Sequence, residues 1–524
     1  MSNPAFLKAQ VALVLLFSIP GLAQSPAKKD DASQDFAKEG VVIEQWATRA
    51  AFQSDGTSTT DFRARVRIQT DAGVRQYGVL NFPYQALVGR VEVQNVRVTK
   101  PNGSVISTPL DSIQDMTTEV SRAAPMYSDL REKHVLVKGL EPGDTLEYSA
   151  QWQIEKPLAT GQFWYGYQFV KSAIVLDEQL EISVPHEREV KLRSQTIQPT
   201  TREENGRRVY TWKTSNLNSL SVEEQKKAQS YDTIRGLLPP PDVLISSFRT
   251  WEEVGRWYDS LQQEKILASP EAKAKAEELT KGLSDDDAKL RAIYNYVSLR
   301  YRYVAISFGI GRYQPHAAAE ILGNQYGDCK DKHTLLAALL NVVGIRAYPA
   351  LINTQTAVDE SVPSPGQFNH VISVVAKGST LSWMDTTPEV TAMGYLMYPL
   401  RGKPALVIMP EKVAFQTTPA NPPFANRNTG KVTAKLDADG TLQAHVETVD
   451  RGDGELYFRS AFRRWPESQW KDLTQQISYG AHLGGTISNV RISPPEKTEE
   501  PFTLAYDYTL RDFAGRAPPT RLHK

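Results

Sequence analysis

Hydrophobic and polar positions fall into three regimes along the chain. Between Val41 and about Leu220 the period is two. Phe62, Ala64, Val66 and Ile68 alternate with Arg63, Arg65, Arg67 and Gln69, and similar runs recur at Val91, Val93, Val96 and Val98, at Val135 and Val137, at Leu146 and Tyr148, and at Ile182 and Val184. Such alternation predicts strands with one buried face. Turn residues separate the runs, at Pro101-Asn102-Gly103, Glu141-Pro142-Gly143-Asp144 and Glu204-Asn205-Gly206. Antiparallel sheets packed as a sandwich are expected.

Beyond Thr250 the period lengthens. Trp251 to Gln263, Pro270 to Leu283, and a segment running from Ser284 through Leu290, Ile293, Tyr294 and Val297 predict helices, the last opened by Ser284 and Asp287 at capping-box spacing. A further helix is predicted in Tyr326 to Gly344, YGDCKDKHTLLAALLNVVG, where Leu335, Leu336, Leu339, Leu340 and Val343 share a face. Asp328 is placed to cap it and Gly344 to end it. Strands at Ile345 to Ile352, Phe368 to Val375 and Thr380 to Met384 complete an α+β domain. From Lys431 onward β alternation returns, with a hairpin signal at Asp437-Ala438-Asp439-Gly440. A calcium-loop reading of that signal fails at Thr448, where such loops need a bidentate glutamate.

The regimes set the expected boundaries: a β-sandwich over 41–236, a proline-rich linker over 237–249 (LLPPPD), an α+β domain over 250–410, a second linker over 411–430 and a C-terminal β domain over 431–524. The chain stops soon after the strand-like Phe502 to Leu510, which leaves open that the last domain is incomplete. Residues 1–23 read as a signal peptide, with Lys8, the apolar run Val11 to Ile19 and the small-residue site Gly21-Leu22-Ala23, and residues 24–40 as a flexible polar tether. The mature protein is therefore expected to be periplasmic or extracellular, with no integral membrane segment after cleavage. Its oligomeric state is unread. The aromatic cluster Phe163 to Phe169, FWYGYQF, is read as core or inter-domain packing in preference to a carbohydrate or peptide groove.

Composition narrows the function classes. Lys and Arg together number 60, as do Asp and Glu, so no charge excess points to nucleic acid. There is no HExxH pair or cysteine cluster to hold a metal, and no glycine-rich phosphate loop or GxSxG elbow; no cofactor is implied. What stands out is the single cysteine, Cys329, in the first turn of a predicted helix. The positive end of a helix favours a thiolate. Lys330 and Lys332 act in the same sense, while Asp328 and Asp331 oppose them. A cysteine that merely packs is the plain alternative. In an exported chain one cysteine cannot close an internal disulfide.

A base is found at His370. In FNHVISVVAKGSTLSWMDTT a two-residue hairpin turning at Lys377-Gly378 would set His370 and Asp385 opposite each other, both equally far from the turn. A turn at Gly378-Ser379 would instead pair His370 with Thr387 and leave Asp385 one diagonal step away on the same face. Either register joins a cysteine nucleophile to a histidine base and an orienting aspartate, the constellation for acyl transfer through a thioester. The Cys329 backbone N–H and the side chains of Gln314 and Tyr326 are candidate oxyanion or substrate-positioning groups.

At these residues the sequence resembles the transglutaminase-like superfamily, through YGDCKDKHTLLAALLNVVGIRAYPALI around the cysteine, NHV around the histidine and WMDTTP around the aspartate. The resemblance covers about Thr250 to Pro410, and the β domain before it resembles an uncharacterised domain common in exported bacterial proteins of this type. It implies a papain-like fold for the central domain, triad roles for Cys329, His370 and Asp385, and a protein or peptide substrate whose acyl group passes to water or an amine. Peptidase activity fits the same family. Lys330 stands where the animal cross-linking enzymes carry tryptophan, so transfer to an amine is less firmly implied than thioester formation. The alternative is a binding or scaffold protein that retains its triad without turnover.

Overall fold

The alternation at Ser58–Ile68 explains the first sheet: Ala64, Val66 and Ile68 are buried while Arg63, Arg65 and Arg67 face solvent. A computed structural model describes residues 36, 38–123, 128–218, 238–304, 313–378, 380–481 and 483–513. The expected signal peptide lies outside them. In the eight-stranded sheet, Val41–Phe52 runs antiparallel to Ser58–Ile68 on one side and parallel to Ile174–Pro185 on the other, so the expected all-antiparallel pattern has one exception. A smaller sheet of Val79–Gln85, Leu130–Leu136 and Gln114–Thr117 brings Leu80, Phe82 and Val135 against Val66, Val91 and Leu146 of the large one, giving the sandwich core.

The stretch expected as the linker 237–249 is built into the fold. Leu238 forms a bridge to Thr356, and Val243–Ser246 is a fully buried strand between Trp164–Tyr167 and Lys191–Ser194. Asp242 is buried and accepts hydrogen bonds from the Phe169 amide at 3.0 Å and the Lys171 ammonium at 2.9 Å. Three prolines stiffen the segment, but it runs into Val243, Leu244 and Ile245, which the sheet buries.

In the central domain, helices Trp251–Gln262, Pro270–Thr280, Asp286–Arg300 and Ala318–Asn324 precede helix Cys329–Val342. Asp285, not Ser284, caps Asp286–Arg300, accepting from the Ala288 amide at 2.9 Å. Helix Cys329–Val342 is buried from Cys329 to Leu340 and packs between the other helices and a five-stranded antiparallel sheet. The sheet order is Thr380–Met384, His370–Lys377, Ala347–Ile352, Pro404–Ile408, Val413–Thr417. Its last strand occupies part of the expected second linker 411–430, because Val413 and Phe415 pack beside Trp251 and Trp257.

The C-terminal region is strand-rich, with a four-stranded sheet of Arg427–Leu436, Leu442–Arg451, Phe502–Leu510 and Thr486–Ile492. It is not purely β: helices Asp453–Arg464 and Trp470–Gly480 place Phe462 and Leu473 on Phe502 and Leu504. The Asp437-to-Gly440 signal is a plain hairpin turn, closed by the Asp437 amide donating to the Thr441 carbonyl at 2.9 Å.

Candidate active site

Helix Cys329–Val342 begins as its sequence requires. The Asp328 carboxylate accepts from the Asp331 amide at 3.1 Å, which sets Cys329 at the first helical position. First-turn amides have no partner within a helix, and the Cys329 N–H is one of them.

The neighbouring hairpin delivers the other two groups. Lys377 pairs with Thr380 and Ser373 with Met384, so the turn follows the second of the two registers and not the one centred on Lys377-Gly378. A two-residue offset preserves the face. His370 Nε2 lies 3.1 Å from Asp385 Oδ2, and the Cys329 thiol is near enough to the same ring to help raise its pKa. Asp385 is fixed in turn: its Oδ1 accepts from the Thr387 amide at 2.9 Å and hydroxyl at 2.8 Å, and its backbone carbonyl accepts from the Tyr294 hydroxyl at 2.9 Å. Relative exposure is 1% for Cys329, 6% for His370 and 1% for Asp385.

Burial makes these charges matter. It works against a charged imidazole, but the Asp385 charge and hydrogen bond, with help from Cys329, outweigh it and raise His370 to about 10. Burial likewise opposes ionisation of Asp385, yet the His370 charge and the Thr387 bonds hold its carboxyl below the usual range. The pair is thus poised as imidazolium and carboxylate.

The charges around the cysteine are partnered off. Lys330 pairs with Asp328, and Asp331 binds the backbone amide of His316 at 2.8 Å and its ring at 3.0 Å. Lys332 donates to the carbonyls of Tyr301 at 2.6 Å and Ser298 at 3.2 Å, the end of helix Asp286–Arg300. Burial pulls this lysine down to about 7. His333, held at about 3 by burial, is neutral and hydrogen-bonds Ser373 Oγ at 2.7 Å. Sequence reasoning did not single out His333, Tyr294 or Thr387. Thr387 had a readable signal, an Asx-type turn in Asp-Thr-Thr.

Gln314 is exposed, and the half-buried Tyr326 ring lies under the Arg302 guanidinium, 5.5 Å from its centroid. Among the described residues, the buried Tyr258 and the half-buried Tyr303 interact electrostatically with Cys329. Among the described residues no group of three or more His, Cys, Asp or Glu is arranged to hold a metal ion.

Residues 273–373 match the transglutaminase-like superfamily. The central domain belongs to that superfamily. Residues 54–220 match a domain of unknown function, DUF3857. A solved structure of a candidate protease from Parabacteroides distasonis is similar in fold, at 12% identity and a TM-score of 0.59 over 90% of this chain and 93% of that one. Overlaps with a candidate cysteine protease from Cytophaga hutchinsonii (12% identity, TM-score 0.17, 63% of this chain and 75% of that one) and with an M1 zinc metallopeptidase from Deinococcus radiodurans (11% identity, TM-score 0.21, 40% and 42%) carry no fold argument. Comparison with curated proteins gives no match. Among the described residues no helix is long and apolar enough to cross a membrane.

Proposed function

We propose that this chain is an exported cysteine acyltransferase or amidase that attacks an amide of a protein or peptide. The reading is carried by the Cys329–His370–Asp385 arrangement. The Cys329 thiolate adds to the carbonyl carbon, and the oxyanion falls to the Cys329 N–H. The His370 imidazolium then gives its proton to the departing amine, which leaves a thioester on Cys329. Water or an amine, deprotonated by the now neutral His370, attacks the thioester and frees the enzyme. Asp385 holds the ring and stabilises its charged form.

Iodoacetamide labelling at neutral pH tests the site. Cys329 is expected to react faster in the wild type than in His370→Ala; equal rates, no faster than a free thiol, would overturn the reading in favour of a scaffold with an idle triad. Addition of an amine separates transfer from hydrolysis through its incorporation into product. Export is tested by the N-terminus of the protein recovered from cells, expected near Gln24.

A further inference from the structure

The motif Phe163 to Phe169 divides its side chains between two domains. Phe163, Tyr165, Tyr167 and Phe169 pack in the first domain with Phe52, Trp212 and Ile245. Trp164, on the opposite face of the strand, meets Phe248, Trp257 and Tyr313 at ring-centroid distances of 6.0, 5.8 and 5.9 Å, in the cluster that also contains Cys329.

The same Trp164 borders a cavity of about 390 Å³ at the seam between the domains, lined by Gly166 and Leu244 on one side and by Ala357, Gly366 and Gln367 on the other. Gly366 allows the approach, since a Cβ there would lie 2.7 Å from the Trp164 ring. The far wall is joined to His370 through the chain. Gln367 precedes His370 on the same strand approach, and Ile352, next to the cavity-lining Asn353, pairs with His370. The polar walls are already engaged: the Asn353 amide binds the Gln367 carbonyl and the Gln355 and Thr356 amides, while the Gln367 amide binds Asp359 and Val362. Neither amide seeks a polar ligand; Trp164, Leu244 and Ala357 offer apolar surface.

We propose that this inter-domain cavity is a specificity pocket, walled by Trp164, for a bulky apolar side chain of the peptide whose amide reaches Cys329. The inference rests on the peptide-amide reading of the triad. It makes the first domain a substrate-selecting part of the enzyme.

The test uses the full chain and a set of short peptide amides identical except for Gly, Leu or Phe at the residues flanking the scissile amide. Acylation of Cys329 is followed by mass spectrometry under competition. The wild type is expected to favour Leu or Phe over Gly by about ten- to two-hundredfold, the range one apolar pocket supplies. Ala357→Phe, which fills the cavity from a half-buried loop, should lower that ratio at least tenfold; Ala357→Leu, a smaller change, should lower it less. An unchanged ratio in both variants, or none in the wild type, overturns the pocket while leaving the triad reading intact. Absence of acylation by every peptide overturns both.

Discussion

His333 Nδ1 lies 2.7 Å from Ser373 Oγ, and this hydrogen bond joins the helix that carries Cys329 to the strand that carries His370. Both groups are buried, so neither can take water in exchange. The elements bearing Cys329 and His370 are thus tied together by a second pair of buried side chains.

Ser373→Ala is expected to cost about 1–3 kcal/mol, the penalty of a buried polar group left unpaired. Urea unfolding should show the loss, and Cys329 labelling should slow as helix and strand loosen. His333 also gives the fold an acid limit. Its folded pKa, near 3, is below the ordinary 6.5, so the unfolded chain takes up a proton that the folded chain refuses. Its stabilising effect is present above pH 6.5 and declines as pH falls toward 3. His333→Gln should flatten that limb in urea titrations.

Asp385→Asn keeps the shape of the site but removes the charge that raises His370. Turnover should fall by up to about 10⁴-fold, as in other triads that lose the orienting carboxylate. The alkaline limb of activity, expected near pH 10 in the wild type, should move toward the ordinary histidine value. A pH–rate profile of both proteins checks this. In the folded wild type the charged His370 contributes stability that is full below pH 6.5 and lost as pH rises through about 10.

Lys332 has the opposite slope. Its pKa falls from 10.5 to about 7 on folding, so its effect on stability is most favourable above 10.5 and worsens down to about 7. Between roughly pH 7 and 10 it offsets His370. Lys332→Met should therefore unmask the His370 decline, with a slope approaching about 1.4 kcal/mol per pH unit. Urea midpoints of wild type and variant at pH 7 and 9.5 give the comparison; a difference between them that does not change with pH would refute the assignment.

Gly344 ends helix Cys329–Val342 at φ +79°, and a Cβ there would meet nothing within 4 Å. Gly344→Ala should thus show a purely conformational cost of about 1–2 kcal/mol. Gly344→Asn, which tolerates the left-handed region, should cost less. Thermal or urea unfolding of the two variants separates them.

The strands of the sandwich were legible because Arg63, Arg65 and Arg67 keep to one face. The nucleophile helix was legible because its apolar spacing, cap and stop agree. His370 and Asp385 were legible through face parity, which survives the two-residue change of register. Less was visible where a segment's role depends on distant partners. Val243–Ser246 reads as the end of a linker until Trp164–Tyr167 and Lys191–Ser194 flank it. Helix Asp453–Arg464 was hidden in a stretch read for β alternation, and its apolar positions gain meaning only beside Phe502.

The strand Val243–Ser246 has a consequence for how this protein can be divided. The segment that matches the superfamily ends at residue 373, before Asp385, and starts at residue 273, after Trp257. A fragment cut to those limits would carry the thiol and the imidazole without the carboxylate, and without Phe248, Trp251, Trp257 and Tyr258 of the cluster that contains Cys329. Ending the first domain at residue 236 would strip it of a fully buried strand, and a fragment starting at Thr250 would keep the triad but expose the side of Trp257 that Trp164 covers. The domains are separable as words in a sequence, but not as working parts.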